Sequence, residues 1–137
     1  MIREFQASQN VGANDPWLQS LDLEYHRLDR EKGVQLLAEV AKELAIPITY
    51  VGDGPLRAEI EAMPGATVTG WVARDQVYRH LSTARCLVFP SLWYETYGLT
   101  VAEAAAYGVP AIVSDISAAA ERVEDGVTGW IGRPSWV

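Results

Sequence analysis

From Leu21 onward, short apolar runs alternate with stretches of helical periodicity, and that rhythm limits the possible folds more than any other feature of the chain. Leu21–Tyr25 reads as a short first strand. Val34, Leu37, Ala38, Ala41 and Leu44 then recur at i, i+3, i+4, i+7 and i+10, the pattern of an amphipathic helix, with Glu39, Lys42 and Glu43 on its outer face. Pro47 ends that pattern, and Ile48–Val51 reads as a strand closed by the turn Gly52-Asp53-Gly54-Pro55. A short helix over 56–62, a strand at Thr67–Thr69 and a helix over 74–84 follow, the last with Val77, Leu81 and Ala84 on one face. Cys86–Phe89 is apolar throughout, as a strand covered on both sheet faces should be. A helix from Leu99 to Tyr107 stops at Gly108 before Pro110. Ala111–Val113 is a strand, Ala118–Val123 a short helix and Thr128–Ile131 a last strand. Strict alternation of this kind predicts parallel βαβ units with right-handed crossovers. The expected fold is α/β, a doubly wound and mostly parallel Rossmann-like sheet. Residues 1–20, with turn formers at Gly12, Asn14, Asp15 and Pro16, read as an irregular lead-in, and 21–137 as a single domain.

Charge and composition narrow the function. The chain of 137 residues carries 11 basic and 18 acidic side chains, a net charge of −7. Such a surface argues against broad electrostatic binding to nucleic acid or to an anionic membrane, which limits membrane contact to a peripheral one. An anionic small ligand remains compatible, because it needs only two or three placed cations. The single cysteine, Cys86, forms no internal disulfide and suits a reducing compartment. With no signal-peptide pattern at Met1–Gln6 and no apolar run of spanning length, the expectation is a cytoplasmic protein.

In open α/β sheets ligands bind where strand carboxyl ends meet helix amino ends. The junction after Phe89 is the richest, running Pro90-Ser91-Leu92-Trp93-Tyr94-Glu95-Thr96-Tyr97-Gly98-Leu99-Thr100-Val101-Ala102-Glu103. Gly98 is expected to admit a ligand close to the backbone, and the following helix offers free amides and its positive dipole end to an anion. Glu95 precedes that helix and Glu103 lies inside it. If one helix held both carboxylates, about 12 Å of rise would separate them, too far for the 5–5.5 Å pair of a retaining hydrolase. They therefore read as two groups with different jobs. The first junction carries Arg27 and Lys32 at the entrance of the best-patterned helix, in a chain with only two lysines. A helix dipole disfavours cations there unless an anion is bound, and a diphosphate would fit, although a surface ion pair with Asp29 or Glu31 is the plainer alternative. Gly52-Asp53-Gly54-Pro55 resembles the start of a dinucleotide fingerprint, but Arg57 stands where its third glycine belongs. No metal-ligand spacing occurs: His26 and His80 lie far apart, and there is no Cys-x-x-Cys or His-Glu-x-x-His.

Taken together and in order, these residues resemble the carboxy-terminal, nucleotide-sugar-binding domain of GT-B-fold retaining glycosyltransferases, in particular glycosyltransferase family 4 (glycosyl transferases group 1). The resemblance runs from about Leu21 to Pro134. It rests on an E-x7-E motif at Glu95 through Glu103, an Arg-Leu-x-x-x-Lys-Gly segment from Arg27 to Gly33, and the Val51-Gly52-Asp53-Gly54-Pro55 turn. Gly70, Pro90-Ser91, and Glu103-Ala104 with Gly108-Val109-Pro110 complete it. It implies that Arg27 and Lys32 hold the donor's diphosphate and stabilise the leaving group, and that Glu95 contacts the transferred sugar. Tyr97, Gly98, Leu99 and Thr100 would place backbone amides around sugar and phosphate, Glu103 would accept from ribose hydroxyls, and Trp71 and Val72 would lie near the base. The substrate implied is a nucleotide diphosphate-sugar, with no cofactor and no metal. The partner implied is an acceptor-binding domain or subunit, because such active sites are clefts between two domains and this chain resembles one wall. Poor turnover alone is expected, and a non-catalytic nucleotide-sugar-binding or interaction module is the alternative. Two positions depart from the family pattern: His26 replaces the glycine before the arginine, and Asp115–Ala120 contains no glycine.

Overall fold

The computed structural model describes residues 21–23, 27–93 and 98–133. Six strands form one sheet: β1 (Leu21–Leu23), β2 (Ile48–Tyr50), β3 (Ala66–Val68), β4 (Cys86–Phe89), β5 (Ala111–Ser114) and β6 (Gly129–Gly132). Their spatial order is β3-β2-β1-β4-β5-β6, and every neighbouring pair is parallel. Among the described residues, four α-helices lie in the crossovers: α1 (Val34–Leu44), α2 (Arg57–Glu61), α3 (Arg74–Thr83) and α4 (Leu99–Ala106). This is the Rossmann-like sheet expected from the alternation.

The period of two along each strand decides which helix covers which face. Cys86 and Val88 of β4, Ile112 of β5, and Ile48 and Tyr50 of β2 pack with Val34, Leu37, Ala38 and Ala41 of α1 and Ile60 of α2. Their neighbours in sequence, Leu87, Phe89, Ala111 and Val113, face the other way, onto Val77 and Leu81 of α3 and Val101 and Ala104 of α4. Both faces of the central strands are therefore dry, which is why β4 and β5 read as unbroken apolar runs. No helix among the described residues is long and apolar enough to cross a membrane.

Several boundaries differ from the sequence reading. The third strand begins one residue early, at Ala66, and ends before Thr69. Thr69 still donates its N–H to the Tyr50 carbonyl at 2.9 Å, but its hydroxyl turns to the Gly70 carbonyl at 2.8 Å. Gly70, at φ 72°, then takes the chain off the ladder. The expected helix at Ala118–Val123 is a 3-10 helix over Ala118–Arg122, because its bonds span three residues and Val123 is already extended. The last strand starts at Gly129 because Thr128 closes the preceding turn, its Oγ1 accepting the Glu124 N–H at 2.8 Å. The first strand is described only over Leu21–Leu23, and the end of its predicted span, together with residues 1–20, lies outside the described residues.

Tyr50, at the carboxyl end of β2, is fully buried and its hydroxyl finds no hydrogen-bond partner. Burial raises its pKa far above the ordinary tyrosine value, so it stays a neutral, unpaired donor. Leaving such a group buried costs about 1–3 kcal/mol. Tyr50→Phe keeps the ring and removes the orphan, so it is expected to raise the unfolding free energy by about 1–2 kcal/mol. Urea unfolding of the two proteins checks this; a clear loss of stability in the variant would contradict it.

Candidate functional site

The chain order reverses between β1 and β4, which lie side by side at the middle of the sheet. A crevice at such a point, beyond the carboxyl ends of the two strands, is where doubly wound sheets place ligands. Two loops border it. The β1–α1 loop brings Arg27 and Lys32, and the β4–α4 loop brings Pro90 to Trp93 and then Gly98.

The β1–α1 loop is held from both sides by main-chain bonds. On one flank the Leu28 N–H donates to the Asp53 carbonyl at 2.8 Å, and the Leu56 N–H donates to the Leu28 carbonyl at 3.0 Å. Leu28 itself is buried, and a Cβ on Gly54 would lie 2.5 Å from its nitrogen, so the Gly52–Pro55 turn is tight because this loop presses on it. On the other flank the Leu92 N–H donates to the Glu31 carbonyl at 2.9 Å. Gly33, at φ 70°, lies so close to Pro90 that a Cβ would come within 2.2 Å of its carbonyl oxygen. The cation-bearing loop and the β4 loop are thus in direct contact across the switch point. A groove of about 360 Å³, lined in part by Arg30, Gly33, Leu36 and Leu92, flanks the junction on the α1 side.

Within that loop the Arg27 side chain is 70% exposed and meets Asp29 at 3.9 Å. This is the surface ion pair weighed from the sequence, and in so exposed a setting it contributes about 0–1 kcal/mol. It leaves the guanidinium largely exposed to solvent. Lys32 is half-buried, ending the 3-10 turn Arg30–Lys32 just before α1.

On the opposite wall, α4 begins at Leu99 with no side-chain cap. Among the described residues the first amide of the helical ladder is that of Val101, which donates to the Gly98 carbonyl at 3.1 Å, so the Leu99 and Thr100 amides precede that bond. Leu99 is exposed, whereas Thr100 is buried with its hydroxyl unpartnered. Gly98 is also tightly packed against its own fold. Its φ of 53° and an absent side chain let α4 close onto Ala119, whose Cβ would lie 2.7 Å from a Cβ on Gly98. A close approach at Gly98 is thus made by Ala119, which is fully buried after β5.

Glu103 lies one turn further along α4. Its Oε1 accepts from Arg74 Nη2 at 3.2 Å, a bond between α4 and the first residue of α3. Trp71, just before α3, is 64% exposed, and Val72 is half-buried against the α3–α4 side of the sheet. Glu95 and Tyr97, like His26, lie outside the described residues.

The charged contacts of Arg57 and Arg74 escaped the sequence reading. Arg57 of α2 binds Asp53 at 2.7 Å and Glu61 at 2.9 Å, with its guanidinium over Gly70. The Arg57 hydrogen bond, helped by the Gly54 N–H, holds the Asp53 carboxyl below the usual carboxylate range. The other is Arg74 on Glu103. The signal that marks Lys32, a cation at a helix amino end, also marks Arg74 and could have prompted a search for its anion.

A parallel 3-2-1-4-5-6 sheet with its order reversing between β1 and β4 defines a Rossmann-like α/β domain. The chain belongs to the family described as Glycosyl transferases group 1, whose pattern matches residues 25–135. It is 33% identical over 104 residues to a GDP-mannose-dependent alpha-mannosyltransferase of Corynebacterium glutamicum, covering 75% of this chain and 25% of that protein. Its fold is that of the carboxy-terminal domain of GT-B glycosyltransferases. The crystal structure of the C-terminal domain of a glycosyl transferase group 1 family protein (LpcC) from Francisella tularensis matches with a TM-score of 0.70 at 18% identity, over 85% of this chain and 68% of that one. The Anabaena HepE structure in complex with UDP-glucose matches with a TM-score of 0.71 at 20% identity, over 98% of this chain and 39% of that one. The chain spans about 30% of the length of the curated relatives it matches.

Proposed function

We propose that this chain is the donor-binding domain of a retaining glycosyltransferase that moves a sugar from a nucleotide diphosphate-sugar to an acceptor held by a second domain or subunit. The observation that carries the reading is the switch-point contact of the two loops, with Glu31 bonded to Leu92 and Gly33 against Pro90. In this reading Arg27 and Lys32 border one side of the crevice and the amino end of α4 borders the other. A diphosphate in that crevice would meet cations and helix amides together.

In this reading, departure of the nucleoside diphosphate concentrates negative charge, and Arg27, Lys32 and the Leu99 and Thr100 amides stabilise it where it develops. Preorganised donors of that kind are worth about 2.7–4 kcal/mol of barrier each. Glu95 orients the transferred sugar through its hydroxyls, Glu103 receives the ribose, and Trp71 and Val72 border the base. The main-chain clamps on the β1–α1 loop support such preorganisation, since the donors need not be ordered as the substrate arrives. The dependence of a relative on GDP-mannose and the UDP-glucose in a neighbour of this fold support a nucleotide-sugar as the ligand class.

Titration calorimetry with UDP, GDP and ADP tests the proposal. At least one should bind, and the absence of heat with all three at millimolar ligand would overturn it. Glu103→Ala is expected to weaken the best of them by about 1–3 kcal/mol, the cost of stranding a hydrogen-bonding partner. An unchanged affinity would remove Glu103 from the site. Retention of the anomeric configuration is read by proton NMR of the product once an acceptor domain is supplied, and an inverted product would discard that part.

A further inference from the structure

The contact between Arg74 and Glu103 joins residues 29 positions apart on two different helices. Arg74 is anchored on a second side, because its Nε bonds the Tyr78 hydroxyl and its guanidinium carbon lies 5.5 Å from the centre of the Tyr78 ring. Tyr78 in turn stacks on Tyr107, at the end of α4, with ring centroids 5.4 Å apart and planes 30° from parallel. One aromatic pair thus ties α3 to α4, and the arginine laid over it grips the carboxylate near the amino end of α4. The fork of the guanidinium suits this two-sided hold, which a lysine point charge reproduces only in part. Glu103 makes its one described hydrogen bond through Oε1, so Oε2 can accept a hydroxyl.

We propose that Arg74 is a positioning residue that fixes the Glu103 carboxylate for the paired hydroxyls of a ribose, and so sets the preference of the site for ribonucleoside over 2′-deoxyribonucleoside diphosphates. The proposal rests on the donor-site reading above. A carboxylate held by one oxygen presents the other at a fixed place, where a missing 2′-hydroxyl is felt; a carboxylate free to swing loses that discrimination.

The test compares affinities for UDP, GDP or ADP, whichever binds, and its 2′-deoxy counterpart in wild type, Arg74→Ala and Arg74→Lys. Thermal unfolding runs alongside. Wild type should prefer the ribonucleotide. Arg74→Ala should reduce that preference roughly two- to fivefold, as expected for an exposed ion pair, with little change in stability. Arg74→Lys should restore part of it, which a merely structural role would not do. A preference that survives Arg74→Ala unchanged overturns the role of Arg74 alone. Wild-type protein that binds none of the nucleotides overturns the donor-site reading and this role with it.

Discussion

Gly33→Ala is expected to lower the unfolding free energy by about 2–5 kcal/mol, a large share of the stability of a domain this size. Two costs combine. The residue sits at φ 70°, a left-handed conformation that disfavours any Cβ, and the added carbon would lie 2.2 Å from the Pro90 carbonyl oxygen. That neighbour is backbone following a fully buried strand end, so it cannot swing aside as a long side chain would. Relief would push the β1–α1 loop away from the β4 loop and stretch the bond between Leu92 and Glu31. The same variant should therefore lose nucleotide affinity even at temperatures where it stays folded. Urea unfolding reads the first effect and calorimetry the second. A destabilisation under about 1 kcal/mol would mean that the contact is looser than described.

Lys32→Ala should do the opposite, leaving stability almost unchanged while weakening nucleoside diphosphate binding by about 1.5–3 kcal/mol, the usual worth of a hydrogen bond to a charged group. Stability is spared because Glu31 and Leu28 anchor the loop through backbone atoms. The loss should be confined to ligands that carry phosphate, so the bare nucleoside serves as the internal control. Added salt should weaken the wild-type complex more than the variant's, since it screens the charge the variant lacks. Equal affinity in the two proteins would take Lys32 out of the diphosphate site.

Periodicity made most of the framework legible. The α1 helix and strand β4 fall where spacing and apolarity put them, because both faces of β4 and one face of α1 are buried and only hydrophobic residues satisfy those positions. Boundaries drifted where a hydroxyl intervened. Thr67–Thr69 is strand-like in composition, yet the Thr69 side chain bonds to Gly70 and ends the ladder, and Thr128 is diverted into a turn in the same way.

The positions of the candidate site residues were legible in the sequence, and their contacts were not. Motif order puts Arg27, Lys32 and Gly98 in the loops after β1 and β4, because strand ends and helix starts must meet there. That the missing side chain of Gly98 also accommodates Ala119 could not be read from the sequence, because it depends on how α4 meets the segment after β5. The clamp on the β1–α1 loop is built from amides and carbonyls, which every residue possesses, so no pattern of side chains announces it. The Arg74–Glu103 bond depends on how α3 and α4 lie against each other, so Arg74 at the amino end of α3 hints at an anion without identifying it.

A loop fixed by its peptide groups can change its dress without changing its shape. Exposed side chains such as those of Arg30 and Glu31 could be exchanged while the curve of the chain past the crevice persists. The rim of this domain thus offers a stiff mount whose outward chemistry could be rebuilt one side chain at a time.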